Sequence, residues 1–198
     1  MNRRIPRIGA AIVTVTVFLF AVCMIIDFPL GSYFVCMLLP LGYLMMAVGF
    51  QYESPESRRV SANTGVALGV IYAVLVLLVY FAQTTTVRWG NLNDQAAQVL
   101  DFQRGGLLFH YDLLGYGMMA LSTFFTGLSI DPDSRADKWL KYLMMVHGVF
   151  FISCLVLPMT GIFAGGGAGN GGTIALLGWC AYFLPVGVLA YQHFQKAP

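Results

Sequence analysis

Two carboxylates, an imidazole, an amide and several phenols sit where the sequence otherwise offers hydrocarbon. In the apolar run 107–130, His110 and Asp112 fall in the first two turns and Tyr116 follows Asp112 at i+4. Residues four apart share a helix face, so Asp112 and Tyr116 point the same way. His110 lies about 200° around the helix from Asp112, so the two make no preformed acid–base dyad. Tyr80 and Gln83 close the run 65–83, Asp27 follows the run 8–26, and Tyr33 opens the run 31–50. A carboxylate among phenol rings suits a small cation, which would meet Asp112 by charge and the rings by cation–π contact. Ionisable groups inside a membrane span are expensive and are functional candidates by default.

An ordinary reading competes. Asp112 is near the N-terminal end of its helix, where unpaired amides and the helix dipole favour a negative charge. Tyrosines also gather at membrane interfaces without a binding role. Two expectations therefore stand side by side. In one, Asp112, Tyr116, His110, Tyr80, Gln83, Asp27 and Tyr33 form a ligand site. In the other, Arg88 and Arg104 pair with Asp112 and pin the adjoining loop. An intramembrane enzyme is a weaker alternative. The chain has no GxSxG or HExxH string, the spacings that would set a nucleophile or a zinc ion. His110, His147 and His193 differ in depth and do not supply the facing pairs that haem requires. Cys23, Cys36, Cys154 and Cys180 all lie in apolar runs with no CxxC spacing, which reads as packing. The match to GxGxxG at 167–172 follows no strand and carries no lysine, so it reads as a flexible connector. No catalytic residue, metal or cofactor is expected.

The elements that must position these side chains follow from composition. The chain has 198 residues, of which 58% are hydrophobic and 10% charged. Soluble domains carry about a quarter charged residues, so lipid is the expected solvent. The net charge of +2 gives no reason to expect nucleic acid. Six apolar runs, 8–26, 31–50, 65–83, 107–130, 142–164 and 173–194, are long enough to cross a bilayer. They are continuous rather than alternating, which favours helices over a barrel. The expected fold is all-α: a single polytopic domain of six transmembrane helices. With the N-terminus inside, Arg3, Arg4, Arg7, Arg58, Arg59, Arg135, Lys138, Lys141 and Lys196 are cytoplasmic, against Arg88 and Arg104 outside. That bias places both termini in the cytoplasm, as in a multi-pass protein of a bacterial inner membrane. The loop 84–106 is the longest outer segment and has room for a short interfacial helix capped by Asn91 or Asn93. Gly65, Gly69 and Ala73, and Gly115, Gly117 and Ala120, offer small-residue packing faces. Pro40, Pro158 and Pro185 fall within helices and predict bends.

Gln83, Thr85, Val87 and Arg88 close one helix in a Q-x-T-x-V-R string. Gly106, Asp112, Leu114, Gly115 and Tyr116 open the next. Over residues 81–125 this pattern resembles a group of bacterial six-helix membrane proteins to which no activity is attached. The resemblance implies a six-helix membrane fold and nothing about chemistry. The function expected from the residues is binding or transport of a small amphipathic or cationic molecule in the outer half of the bundle. The alternative is a structural or regulatory membrane subunit without a ligand. The expected partners are the lipid bilayer, that small molecule, and a second copy or a larger membrane assembly.

Overall fold

The computed structural model describes residues 3–163 and 169–195. Most of the glycine-rich connector and Lys196 lie outside the described residues. Among the described residues the chain is all-α, without strands. In chain order, α1 is Arg4–Ile25, α2 Pro29–Glu53 and α3 Arg59–Ala82, which runs into a π turn at Gln83–Val87. A short α4, Asp94–Leu100, lies in the long loop and is capped by Asn93, whose side chain accepts from the Ala96 amide at 2.8 Å. Then come α5, Leu107–Ser129, α6, Arg135–His147, α7, Phe150–Met159, and α8, Gly169–Gln195.

Among the described residues, five helical segments are long and apolar enough to cross a membrane, α6 and α7 counting together as one. The sequence predicts a single helix over 142–164. The structure starts this segment earlier, at Arg135, and interrupts it at Gly148–Val149. Ser134 is the reason for the early start. Its hydroxyl accepts from the Asp137 amide at 3.2 Å and donates to the Asp137 carboxylate at 2.6 Å, which makes Ser134 the N-cap of the helix. At the break, Gly148 faces α5, and a Cβ there would meet the Phe124 Cβ at 2.8 Å.

The remaining long helix, α5, is about 35 Å long but is not among the five, because its apolar run is interrupted by His110, Asp112, Ser122, Thr123 and Thr126. It is also the most enclosed element, packed by α3, α6, α7 and α2. Several of its polar groups find partners there, though the Thr126 hydroxyl and one Asp112 oxygen do not. Tyr43 of α2 donates to the Ser122 hydroxyl at 2.7 Å, which donates in turn to the Gly65 carbonyl of α3 at 2.5 Å. Ser129 donates to the Thr126 carbonyl. Just beyond the C-terminal end of α5, Arg58 and Lys141 both donate to the Ile130 carbonyl, at 2.7 and 2.9 Å, where the helix dipole favours positive charge.

Close helix approach depends on glycine, and two contacts show how. Gly9 of α1 and Gly42 of α2 touch backbone to backbone, and a Cβ on Gly9 would lie 2.6 Å from the Gly42 carbonyl oxygen. On α3, a Cβ at Gly65 would lie 2.5 Å from Thr126 Oγ1 and 3.0 Å from its backbone nitrogen. Backbone cannot step aside cheaply, so Gly65→Ala should lower stability by about 1–3 kcal/mol. Gly178→Ala, which meets nothing within 4 Å, should be neutral or raise stability by a few tenths to about 1 kcal/mol. Thermal unfolding of the two variants in the same detergent checks the contrast.

Candidate functional site

The antiparallel order of the helices brings the far ends of α1, α3 and α7 together with the near ends of α2, α5 and α8. A cavity of about 470 Å³ opens there. Asp27, Tyr33, Tyr80, Asp112 and Tyr116 line it, as do Phe102 and Gln103 from the long loop and Gly172, Thr173 and Leu176 from α8. Five of the seven residues expected to form a ligand site therefore meet around one space.

Asp112 is 5% exposed. Its Oδ2 accepts from the Tyr80 hydroxyl at 3.2 Å, and its Oδ1 has no hydrogen-bond partner. Among the described residues, other buried side-chain atoms without a hydrogen bond are the Tyr72 and Thr126 hydroxyls and one atom each of Arg3 and Glu53, which face each other as an ion pair at 2.9 Å. A buried carboxylate oxygen is the costliest of these to leave unmatched. Aromatic rings surround it. Tyr33 and Tyr80 lie 5.6 Å apart between centroids, and Tyr33 meets Phe102 edge-on at 6.0 Å. Tyr116 donates to the Cys36 sulfur at 3.6 Å and packs edge-on against Trp179 at 5.5 Å. Polar residues of α3 and α5 face each other: Tyr80 meets Asp112 and Tyr72 meets Tyr116 at 5.7 Å. They pack together as one wall, and the open space lies on the side of α1, α2 and α8.

Two expected members fall elsewhere. His110 points away from the cavity, with Nδ1 2.8 Å from the Gly106 carbonyl of its own first turn. Gln83 is buried, and its amide is engaged on both sides by loop backbone. It donates to the Leu100 carbonyl at 2.8 Å and accepts from the Phe102 amide at 3.0 Å. Asp27 sits at the rim in the α1–α2 turn with φ of 52°, a left-handed conformation that Asp tolerates better than most residues.

The arginines do not reach Asp112 in the geometry observed. Arg104 pairs with Asp94 at 2.6 Å and Asp101 at 3.9 Å within the loop, and its hydrogen bond to Asp94 raises its pKa above the usual guanidinium value. Arg88 lies over the Trp89 ring at 5.8 Å. Loop pinning falls instead to Gln83, helped by Gln103, which donates to the Tyr33 hydroxyl at 2.9 Å.

Sequence reasoning also missed a polar cluster at the opposite end. His193 of α8 is held between Asp137 of α6, at 2.8 Å from Nδ1, and Glu53 of α2, at 3.1 Å from Nε2. Arg3 pairs with the same Glu53. Four chain segments are tied together through these side chains. Ser134-x-x-Asp137 was the one local signal that Asp137 begins a helix rather than lying in a loop. The third histidine, His147, is buried among α5, α6 and α8. Trp179 can only donate, so its Nε1 at 2.9 Å makes His147 Nε2 the acceptor. His147 Nδ1 then carries the proton and donates to Thr123 Oγ1 at 2.6 Å. Thr123 in turn donates its hydroxyl to the Ala120 carbonyl at 2.8 Å. Both ring nitrogens are committed to packing.

Gln83→Leu should free the long loop by removing two buried hydrogen bonds, a loss of about 1–3 kcal/mol locally. Amide exchange over residues 94–104 should speed up roughly tenfold or more. Arg104→Gln, which removes only an exposed pair, should leave that exchange within about threefold of the parent. Comparison of the chain with family models, with curated proteins and with solved structures finds no match.

Proposed function

We propose that this chain is a six-span protein of a bacterial inner membrane, both termini cytoplasmic, whose outer cavity binds a small cationic or amphipathic molecule and takes part in its transport. The spans are α1, α2, α3, α5, the α6–α7 pair and α8. The length of α5 and its enclosure by apolar neighbours support counting it, because only its lipid-facing surface must be apolar. The nine-to-two distribution of Lys and Arg supports the orientation.

The observation that carries the functional reading is Asp112 Oδ1. It is a buried carboxylate oxygen without a protein donor, on a residue that lines a cavity of small-molecule size. A cationic head entering the cavity supplies the missing charge, and Tyr33, Tyr80 and Tyr116 offer ring faces or hydroxyls around it. A residue kept at a cost to stability is the pattern expected of a site rather than of a scaffold.

Asp112→Asn tests this. The substitution removes the charge while keeping shape and the Tyr80 contact. Titration of the purified protein with benzyltrimethylammonium should show saturable binding that weakens by about 10–100-fold in the variant, the range for losing a charged contact. The variant should unfold at a temperature equal to or above that of the parent. Equal affinities in the two proteins, or no saturable binding to the parent, contradict the proposal.

A further inference from the structure

Beside the cavity, α7 and α8 diverge among the described residues. The α6–α7 segment and α8 touch at mid-depth, through the His147–Trp179 hydrogen bond, the His147–Phe183 ring contact at 4.9 Å and the Phe150–Tyr182 contact at 5.8 Å. From this vertex toward the loop end they part. No residue of α7 is buried, and α7 packs chiefly on α5. Across from it, Ile174 of α8 is 70% exposed, and a Cβ at Gly171 or Gly178 would meet nothing within 4 Å. Around the helix from these residues, Gly172, Thr173 and Leu176 of α8 line the cavity. Among the described residues, α7 and α8 thus leave a V-shaped gap with apolar sides next to the space around Asp112.

Exposed apolar faces are ordinary where lipid covers them. This gap differs in lying next to a buried carboxylate. Above the carboxylate, Phe102 and Gln103 cover part of the water-side mouth, with Gln103 bonded to Tyr33 and the Phe102 amide held by Gln83. A cavity of about 470 Å³ holds a headgroup and a short length of chain. The remainder of a longer chain has the gap to lie in.

We infer that the occupant is a single-chain amphiphile with an ammonium headgroup, which enters from the bilayer between α7 and α8, sets its head against Asp112 and leaves its tail in the gap. This rests on the cavity reading given above and adds the ligand class and the route. Charge complementarity with Asp112 selects the head, and the apolar walls of the gap select the tail.

The test compares dodecyltrimethylammonium with tetramethylammonium on the protein in lipid nanodiscs, with empty nanodiscs as the blank. Ile174→Trp places a bulky ring on the exposed side of α8, outside the cavity lining. Gly178→Leu fills the open side of α8 without meeting protein atoms at its Cβ. In the parent, the dodecyl compound should bind at least tenfold more tightly in aqueous concentration. In both variants that advantage should fall to less than threefold, while tetramethylammonium affinity stays within twofold, which also shows that the variants fold. Equal binding of the two compounds to the parent, or an undiminished advantage in both variants, overturns lateral entry and leaves the cavity reading in place. Indifference of both compounds to Asp112→Asn overturns the inference together with the reading beneath it.

Discussion

A polar helix in an apolar medium persists only where its neighbours supply the hydrogen bonds that water would have made. In the six-span arrangement proposed above, that constraint falls on α5. The arrangement around it follows from it. Tyr43, Gly65 and Ser122 join α2, α3 and α5 in one relay. Trp179, His147 and Thr123 join α8, α6 and α5 in another. Each relay fixes the direction of its protons, so each also fixes the rotation of the helices that carry it. The glycines at 65 and 148 let the backbones come close enough for these bonds to form.

Against that background Asp112 is the exception that matters. Its helix is otherwise supplied with partners over most of its length, and the same packing leaves one buried carboxylate oxygen unmatched on a residue that lines a cavity. The opposite end of the bundle shows how the chain treats a carboxylate that serves packing. Asp137 and Glu53 are bridged by His193, with Arg3 on Glu53 and Ser134 on Asp137. Arginines are present in the loop near Asp112, yet they pair with loop acids or lie over a ring. The contrast between the two ends favours a binding role for Asp112 over a clamping one.

The all-α class was legible because apolar run length sums over many residues and tolerates local error. Boundaries were less so. Arg135, Asp137, Lys138 and Lys141 depress the hydropathy of a segment that is helical from Arg135 onward, and only the capping pattern at Ser134 marks its true start. The site was legible in part. Asp112, Tyr116, Tyr80, Tyr33 and Asp27 meet because antiparallel packing equalises their depth. Gln83 was misread as a ligand contact because an amide among phenols looks like one. Its partners are a backbone carbonyl and a backbone amide on a loop, which leave no pattern in side-chain sequence. The tie among Arg3, Glu53, Asp137 and His193 was invisible for a similar reason, since it depends on the register of four segments far apart in the chain.

The most direct measurement is a high-resolution density map of the protein purified with native lipids, read around Asp112. The account predicts non-protein density within about 3 Å of Oδ1, continuing toward Leu176. Oδ1 bonded to Arg88 or Arg104, with the cavity closed over it, would contradict the account.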